Sequence, residues 1–481
     1  MSKNWFKDSI TYHIFIDRFA GFDGKKDDSK PDWVGGNLKA IAKKLPYLKK
    51  LGINCIWLSP FYKTSAYHGY WIEDYYEVDE HFGTKKDLKE LVANAHKLGI
   101  KVIADFVPNH CSDKHPFFID AASKRDSKYR DWFYFKQWPF EYLSFLDYKN
   151  LPKLNLENKE VRKYVIDAAV YWLKNFDLDG FRLDHAIGPS LDFWQEFKTA
   201  VKKAKSSSVL IGEVWFLGVN ESHEETIKMK NIKKIFEKHK KSGVRLEDLA
   251  MQEFVNILDG CLDFTFNDLI RRFLAKREIS SEIFFSELNH HYSLFPSDFM
   301  LPSFLDNHDM NRFLFECGKD ENKLKLASVL QFCLNQPPII YYGTEAGLSQ
   351  ASDIKDFESN GDVQARRTMM WDEEREDLFN HYRRLCLLRS KIKSMREGKL
   401  KIIYTDVKSG LLAFVKESES DKILAILNPD DVEVGLTLNL KQFGIECKYL
   451  VDLILDEKIE VKESVVKTKL KPYGFGLYLI K

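Results

Sequence analysis

Eight short apolar runs, separated by segments of helical periodicity, constrain this chain more than any other feature. The runs cover residues 10–16, 53–58, 102–107, 180–183, 209–211, 262–266, 301–305 and 339–342. Most are continuously apolar rather than alternating, the pattern of parallel strands buried on both faces. Between the first two, Leu38, Ile41, Leu45, Leu48 and Leu51 fall at helical spacing, and residues 85–98 and 161–176 repeat that pattern. Strands alternating with helices in this number predict a closed (β/α)8 TIM barrel more readily than an open sheet. At 481 residues the chain is too long for one such core. The connection over 111–156 is rich in aromatic residues and too long for an ordinary loop, which predicts a short inserted domain after the third strand. From about residue 390 short strands and turns take over, at 402–405, 411–416, 422–427, 434–438, 448–453 and 476–480, and predict a C-terminal antiparallel β-sandwich. The expected division is 1–110 and 157–390 for the barrel, 111–156 for the insertion and 391–481 for the sandwich.

Composition narrows the function classes. A formal net charge of +1 removes any global electrostatic argument for nucleic acid or an acidic membrane. The seven cysteines are scattered and form no C-x-x-C pair, so buried thiols in a reducing compartment are expected. Zinc is disfavoured by the same gap, since no H-x-x-x-H occurs either. The N-terminus lacks a basic region followed by an apolar run, and no stretch of about 18 apolar residues occurs. A cytoplasmic protein is the expectation.

Four short stretches carry the chemistry. They are Asp105-Phe106-Val107-Pro108-Asn109-His110, Gly180-Phe181-Arg182-Leu183-Asp184, Gly212-Glu213-Val214-Trp215 and Asn307-His308-Asp309. Each lies in or just after an apolar run, where a barrel strand delivers side chains to its C-terminal rim. Arg182 and Asp184 stand two apart, so in an extended strand they point the same way. A guanidinium there is expected to keep the carboxylate ionised, as a nucleophile requires. Glu213 needs a proton to act as an acid, and neighbouring carboxylates raise a carboxyl pKa. Two or three carboxylates with an arginine and histidines are the equipment for cleaving a glycosidic bond.

These stretches resemble the conserved regions of the α-amylase family, glycoside hydrolases of family 13. Three more segments extend the likeness: residues 66–75, with Tyr67-His68-Gly69-Tyr70-Trp71; Leu151-Pro152-Lys153-Leu154-Asn155; and Tyr341-Tyr342-Gly343-Thr344-Glu345. The Leu151 segment is similar to the M-P-K-L-N of the neopullulanase, cyclomaltodextrinase and maltogenic amylase group. The resemblance implies that Asp184 is the nucleophile, Glu213 the general acid and base, and Asp309 the third carboxylate. It implies sugar contacts for His68, Tyr70, His110, Arg182 and His308, with Asp105 orienting Arg182. It implies retention of configuration and an α-glucan oligosaccharide as partner, with no nucleic acid and no membrane; a homo-oligomer is compatible with it. No cofactor is required, but the place of Asn109 is one that binds calcium in many members. Asp17, Asp23, Asp27 and Asp28 form an alternative cluster, for which a solvated loop is the favoured reading.

The chain also departs from the family. Asp184-His185-Ala186-Ile187-Gly188 lacks the Lys-His pair that holds the leaving-group side in typical amylases, and lacks the Asn-Glu of the neopullulanase group. The barrel pattern starts at Trp5, so an extra N-terminal domain is not expected. The reading is a retaining hydrolase of α-1,4 bonds in maltooligosaccharides or cyclodextrins. A 4-α-glucanotransferase using the same intermediate is the alternative.

Overall fold

The computed structural model describes residues 4–216, 218–220, 223, 225–229, 232–371, 375–406 and 408–481. Its barrel strands are β1 (Thr11–Ile14), β2 (Cys55–Leu58), β3 (Lys101–Phe106), β4 (Gly180–Leu183), β5 (Val209–Gly212), β6 (Gly260–Cys261), β7 (Ser303–Phe304) and β8 (Pro338–Tyr341). They pair in the order β6-β5-β4-β3-β2-β1-β8-β7, and every pair is parallel. The ring closes between its end strands, where the Cys261 amide donates to Met300 O (3.0 Å) and the Asp263 amide to Pro302 O (3.0 Å). Gly260 makes that seam possible, because a Cβ there would lie 2.0 Å from Met300 O.

The sixth strand was expected at 262–266 and instead ends at Cys261. The Asp263 carboxylate accepts the Phe266 amide (2.8 Å) and so starts a helix at Phe264. A helix cap overrides the apolar run there.

The helices follow local signals. Leu38–Leu51 opens where the Asn37 side chain accepts from Ala40 N, and it closes at left-handed Gly52. Lys85–Lys97 opens on a capping box of Thr84 and Asp87. Lys159–Phe176 is capped by Asn158 and buries Val165, Trp172 and Phe176 in the core. Each such side chain contributes about 1.5–3 kcal/mol on burial.

Inside the barrel, Cys55, Trp57, Ile103, Val209, Ile211, Phe304 and Ile339 share one cluster. Their neighbours Ile56, Leu58, Ala104 and Leu210 belong to the core beneath the helices. This two-residue alternation assigns the lumen to odd positions of β2, β3 and β5.

The inserted segment contains a helix (Pro116–Ser123) and a hairpin of Phe135–Gln137 with Glu141–Tyr142. It returns to the barrel through a bridge between His110 and Lys153 and a bond from Leu154 N to Asn109 O (3.0 Å).

The C-terminal region holds β9 (Lys399–Thr405), β10 (Leu412–Glu417), β11 (Lys422–Leu427), β12 (Val434–Asn439), β13 (Tyr449–Asp452), β14 (Lys458–Glu460), β15 (Val465–Leu470) and β16 (Phe475–Ile480). One antiparallel sheet runs β9-β10-β11-β16-β13-β14, and β12 pairs with β15. Leu424, Ile426, Leu436, Leu438 and Val466 pack between these layers. Two of the strands, β14 and β15, were not foreseen. Edge strand β9 is bulged between Ile402 and Tyr404 and exposes Lys399 and Lys401. All seven cysteines are free and buried. Among the described residues no helix is long and apolar enough to cross a membrane.

Candidate active site

The lumen register, continued two residues along each strand, builds the site. Ile103 leads to Asp105 and Ile211 leads to Glu213, while Arg182 leads to Asp184. All three carboxylates meet one guanidinium. Arg182 Nη1 donates to Asp105 Oδ1 (2.8 Å) and Oδ2 (3.0 Å) and to Asp184 Oδ1 (3.0 Å). Its Nη2 donates to Glu213 Oε1. The other Glu213 oxygen accepts the His185 backbone amide at 3.0 Å. Asp105 Oδ2 also accepts from Tyr70 (2.8 Å) and from the Trp57 indole (3.2 Å).

Asp309 stands at the same mouth, near Asp184 and Glu213. Its Oδ2 lies 3.1 Å from His308 Nε2, and its Oδ1 accepts from Arg366 Nη2 (2.9 Å). Tyr70 lies parallel to His308 with ring centroids 5.2 Å apart, so the two carboxylate groups are joined through Tyr70 and Asp105. His68 stands beside this pair, its Nδ1 accepting the Tyr70 amide (3.1 Å). His110 lies near both His68 and His185, and its ring meets Phe145 (4.7 Å). Burial pushes its imidazole down to about 3.

Charge balance at Arg182 differs from expectation. Burial pushes the Asp184 carboxyl well above the ordinary range; Arg182 opposes this, and the charge of Glu213 adds to it. Burial raises Glu213 as well, again against the pull of Arg182. One guanidinium is shared by three buried carboxyls, and burial raises each of them against its pull.

A calcium ion does not fit at Asn109. The Lys153 amine donates to Asn109 Oδ1 and, at 3.1 Å, to Gly188 O. Lys153 is buried, which draws its pKa down to about 7, and charged or neutral it donates to both oxygens. Gly188 allows this approach, since a Cβ there would lie 2.2 Å from Asn109 Oδ1. The first-loop aspartates do not converge either. Asp17 accepts the amides of Val34 and Gly35, Asp28 is held by Arg367 and Thr368, and Asp23 and Asp27 bond within their own turns. Among the described residues no group of three His, Cys, Asp or Glu is placed to hold a metal.

Sequence reasoning missed three contributors. Arg366 bonds to His308 O (2.8 Å), Tyr67 and Asp309, yet nothing near it in sequence marks it. Phe145 meets both His110 and His185 from the inserted segment. Lys153 was quoted only within a motif, although its fully buried position is the signal of a structural role.

Comparison with known proteins adds a second line. The family profile described as "Alpha amylase, catalytic domain" matches residues 13–393, and that described as "Maltogenic Amylase, C-terminal domain" matches residues 400–477. "Alpha-amylase 2" of Dictyoglomus thermophilum is 38% identical over 439 residues, covering 90% of this chain and 72% of that protein. A "Cyclomaltodextrinase" of Geobacillus thermopakistaniensis is 30% identical over 500 residues, covering 99% and 78%. Among solved structures, the α-amylase of Geobacillus thermoleovorans complexed with acarbose superposes with a TM-score of 0.80 at 29% identity, covering 99% of both chains.

Proposed function

Because this chain belongs to the α-amylase family of glycoside hydrolases, we propose that it is a retaining enzyme cleaving α-1,4-glucosidic bonds of maltooligosaccharides or cyclodextrins. The observation that carries this reading is the single guanidinium of Arg182 bonded to Asp184 and Glu213 together. Carboxylates held by the two terminal nitrogens of one guanidinium stand close together, which supports retention over inversion. One proton shared by that pair supplies what the chemistry needs: an anion on one carboxyl and an acid on the other.

In the first step Glu213 protonates the glycosidic oxygen while Asp184 attacks the anomeric carbon, giving a glycosyl ester and a shortened glucan. In the second, Glu213 removes a proton from water, and the hydroxide oxygen displaces Asp184. Asp309, with His308 and Tyr70 beside it, accepts and orients the hydroxyls of the reacting sugar. Arg182 and Asp105 position the nucleophile. The names of relatives support a small α-glucan substrate, one of them being called a cyclomaltodextrinase. A relative named as an intracellular maltogenic amylase supports a cytoplasmic location.

A panel of maltose, maltotriose, β-cyclodextrin, pullulan and starch, with products resolved by chromatography, tests the substrate class. Asp184→Asn and Glu213→Gln are expected to lower turnover by about three orders of magnitude or more, with melting temperatures retained. Near-normal turnover in either variant would overturn the assigned roles.

A further inference from the structure

The residue after the nucleophile is held in an unusual way. His185 has φ 42°, a left-handed conformation that costs a non-glycine residue on the order of 1–3 kcal/mol and that recurs at functional sites. Leu146 (φ 44°) and Asp147 (φ 64°) share that conformation, and both follow Phe145 directly. The Phe145 ring meets His185 edge-on, with centroids 4.8 Å apart at 89°. Opposite, His185 Cδ2 lies over Gly188, so close that a Cβ on Gly188 would come within 2.7 Å. The imidazole is therefore clamped between the inserted segment and the nucleophile loop. Asp147 lies 3.5 Å from His223, and Lys136 pairs with Glu225, so the inserted segment also reaches the stretch after β5.

The clamp lies on one definite side of the reaction. In the reading above, Asp309, His308 and Tyr70 hold the transferred sugar, with Arg366 bonded to Asp309. The His185 amide bonds instead to Glu213, the group that must meet the leaving oxygen and later the attacking one. Among the described residues neither ring nitrogen of His185 makes a protein hydrogen bond. Burial, and next the nearby Lys153, push its pKa well below the ordinary value, leaving a neutral ring with one donor and one acceptor.

We propose that His185, buttressed by Phe145, is the acceptor-side contact of this enzyme, hydrogen-bonding a hydroxyl of an incoming sugar and so setting how the glycosyl-enzyme divides between sugar and water. The inference rests on the retaining reading above. In the transfer step the acceptor O–H attacks the anomeric carbon and the bond to Asp184 breaks. The electron pair returns to the Asp184 carboxylate, and the acceptor proton passes to Glu213. His185 exchanges no proton in this step; it raises the occupancy of the sugar acceptor over water.

The test uses the full chain and its His185→Ala variant. Each is incubated with saturating maltotriose, and the ratio of longer oligosaccharides to glucose plus maltose is measured. Each is also assayed on an aryl α-maltoside, whose leaving group is not a sugar. A tenfold fall in the transfer-to-hydrolysis ratio is expected, with a loss on maltotriose at least tenfold larger than that on the aryl glycoside. An unchanged ratio, or equal losses on both substrates, overturns the proposal. So does a wild-type enzyme that hydrolyses maltotriose yet forms no longer product. If His185→Ala does not fold, Phe145→Ala is read by the same two measurements, with the same tenfold fall expected. Failure of the parent reading looks different, because the wild type would then turn over no α-glucan of the panel at all.

Discussion

Replacing Arg182 by methionine should separate electrostatics from packing. The stem is similar in volume, so the principal change is loss of a fully buried guanidinium bonded to Asp105, Asp184 and Glu213. Breaking a buried ion pair by removing one partner costs about 3–5 kcal/mol. With an unfolding entropy of about 2 cal/mol/K per residue, a cooperative unit of this size loses about 3–5 °C of melting temperature. The loss must depend on pH with a defined sign. Burial already holds Asp184 and Glu213 above their unfolded values, and Arg182 is what opposes it. Without Arg182 these folded-state values rise further. A carboxyl raised in this way favours the folded state below its unfolded pKa, and that advantage disappears as pH rises through the folded pKa. Arg182→Met should therefore lie closest to wild type at the acid end of its stability range and show a deficit that grows toward the alkaline end. Turnover of maltotriose should fall at least about a thousandfold, because the nucleophile stays protonated. Differential scanning calorimetry across that range, paired with initial rates, checks both. A deficit equal at both ends of the range, or larger in acid, would refute the reasoning.

The other predictions concern two buried cations. Lys153→Met leaves Asn109 Oδ1 and Gly188 O buried without this donor. At about 1–3 kcal/mol for each orphaned acceptor, a fall of about 2–6 °C in melting temperature is expected. Dialysis of the wild type against EDTA should leave rate and melting temperature unchanged; a loss reversed by calcium would contradict the occupation of the Asn109 place by Lys153. Burial lowers the pKa of His291, but the carboxylates of Asp263 and Asp248 outweigh it and push the imidazole up to about 9. Its contribution is fully present below the unfolded value and is lost as pH rises through about 9, roughly 3 kcal/mol in all. In His291→Gln that slope in a stability-versus-pH curve should vanish; a slope that persists assigns it to another group.

The legibility of the chain follows physical lines. Continuous apolar runs such as Cys55–Leu58 and Val209–Gly212 stood out because both of their faces are buried. The two-residue strand β6 did not, because Leu262, Phe264 and Phe266 beside it imitate a strand while Asp263 caps a helix. Strand β15 alternates buried Val466 and Leu470 with exposed Lys467 and Lys469, a sparse apolar pattern that was not assigned a strand. At the site, Asp105, Arg182, Asp184 and Glu213 were legible because each lies in or just after a strand, within a short segment of its kind. Arg366 and Phe145 were not, because their roles arise from packing across distant elements. The expectation that Arg182 keeps Asp184 ionised treated the two as an isolated pair, and sequence alone could not show that the same cation serves three acids.

The outer strands of the C-terminal sheet have a bearing on behaviour at high concentration. Strand β9 carries a bulge and projects Lys399 and Lys401, and β14 at the far border is short and exposed throughout, with Lys458 and Glu460. A second molecule seeking to extend the sheet at β9 would meet a break in the ladder and like charges. Such borders discourage edge-to-edge growth into fibrils. An open β layer can thus be carried at the end of a long chain without becoming a seed for aggregation.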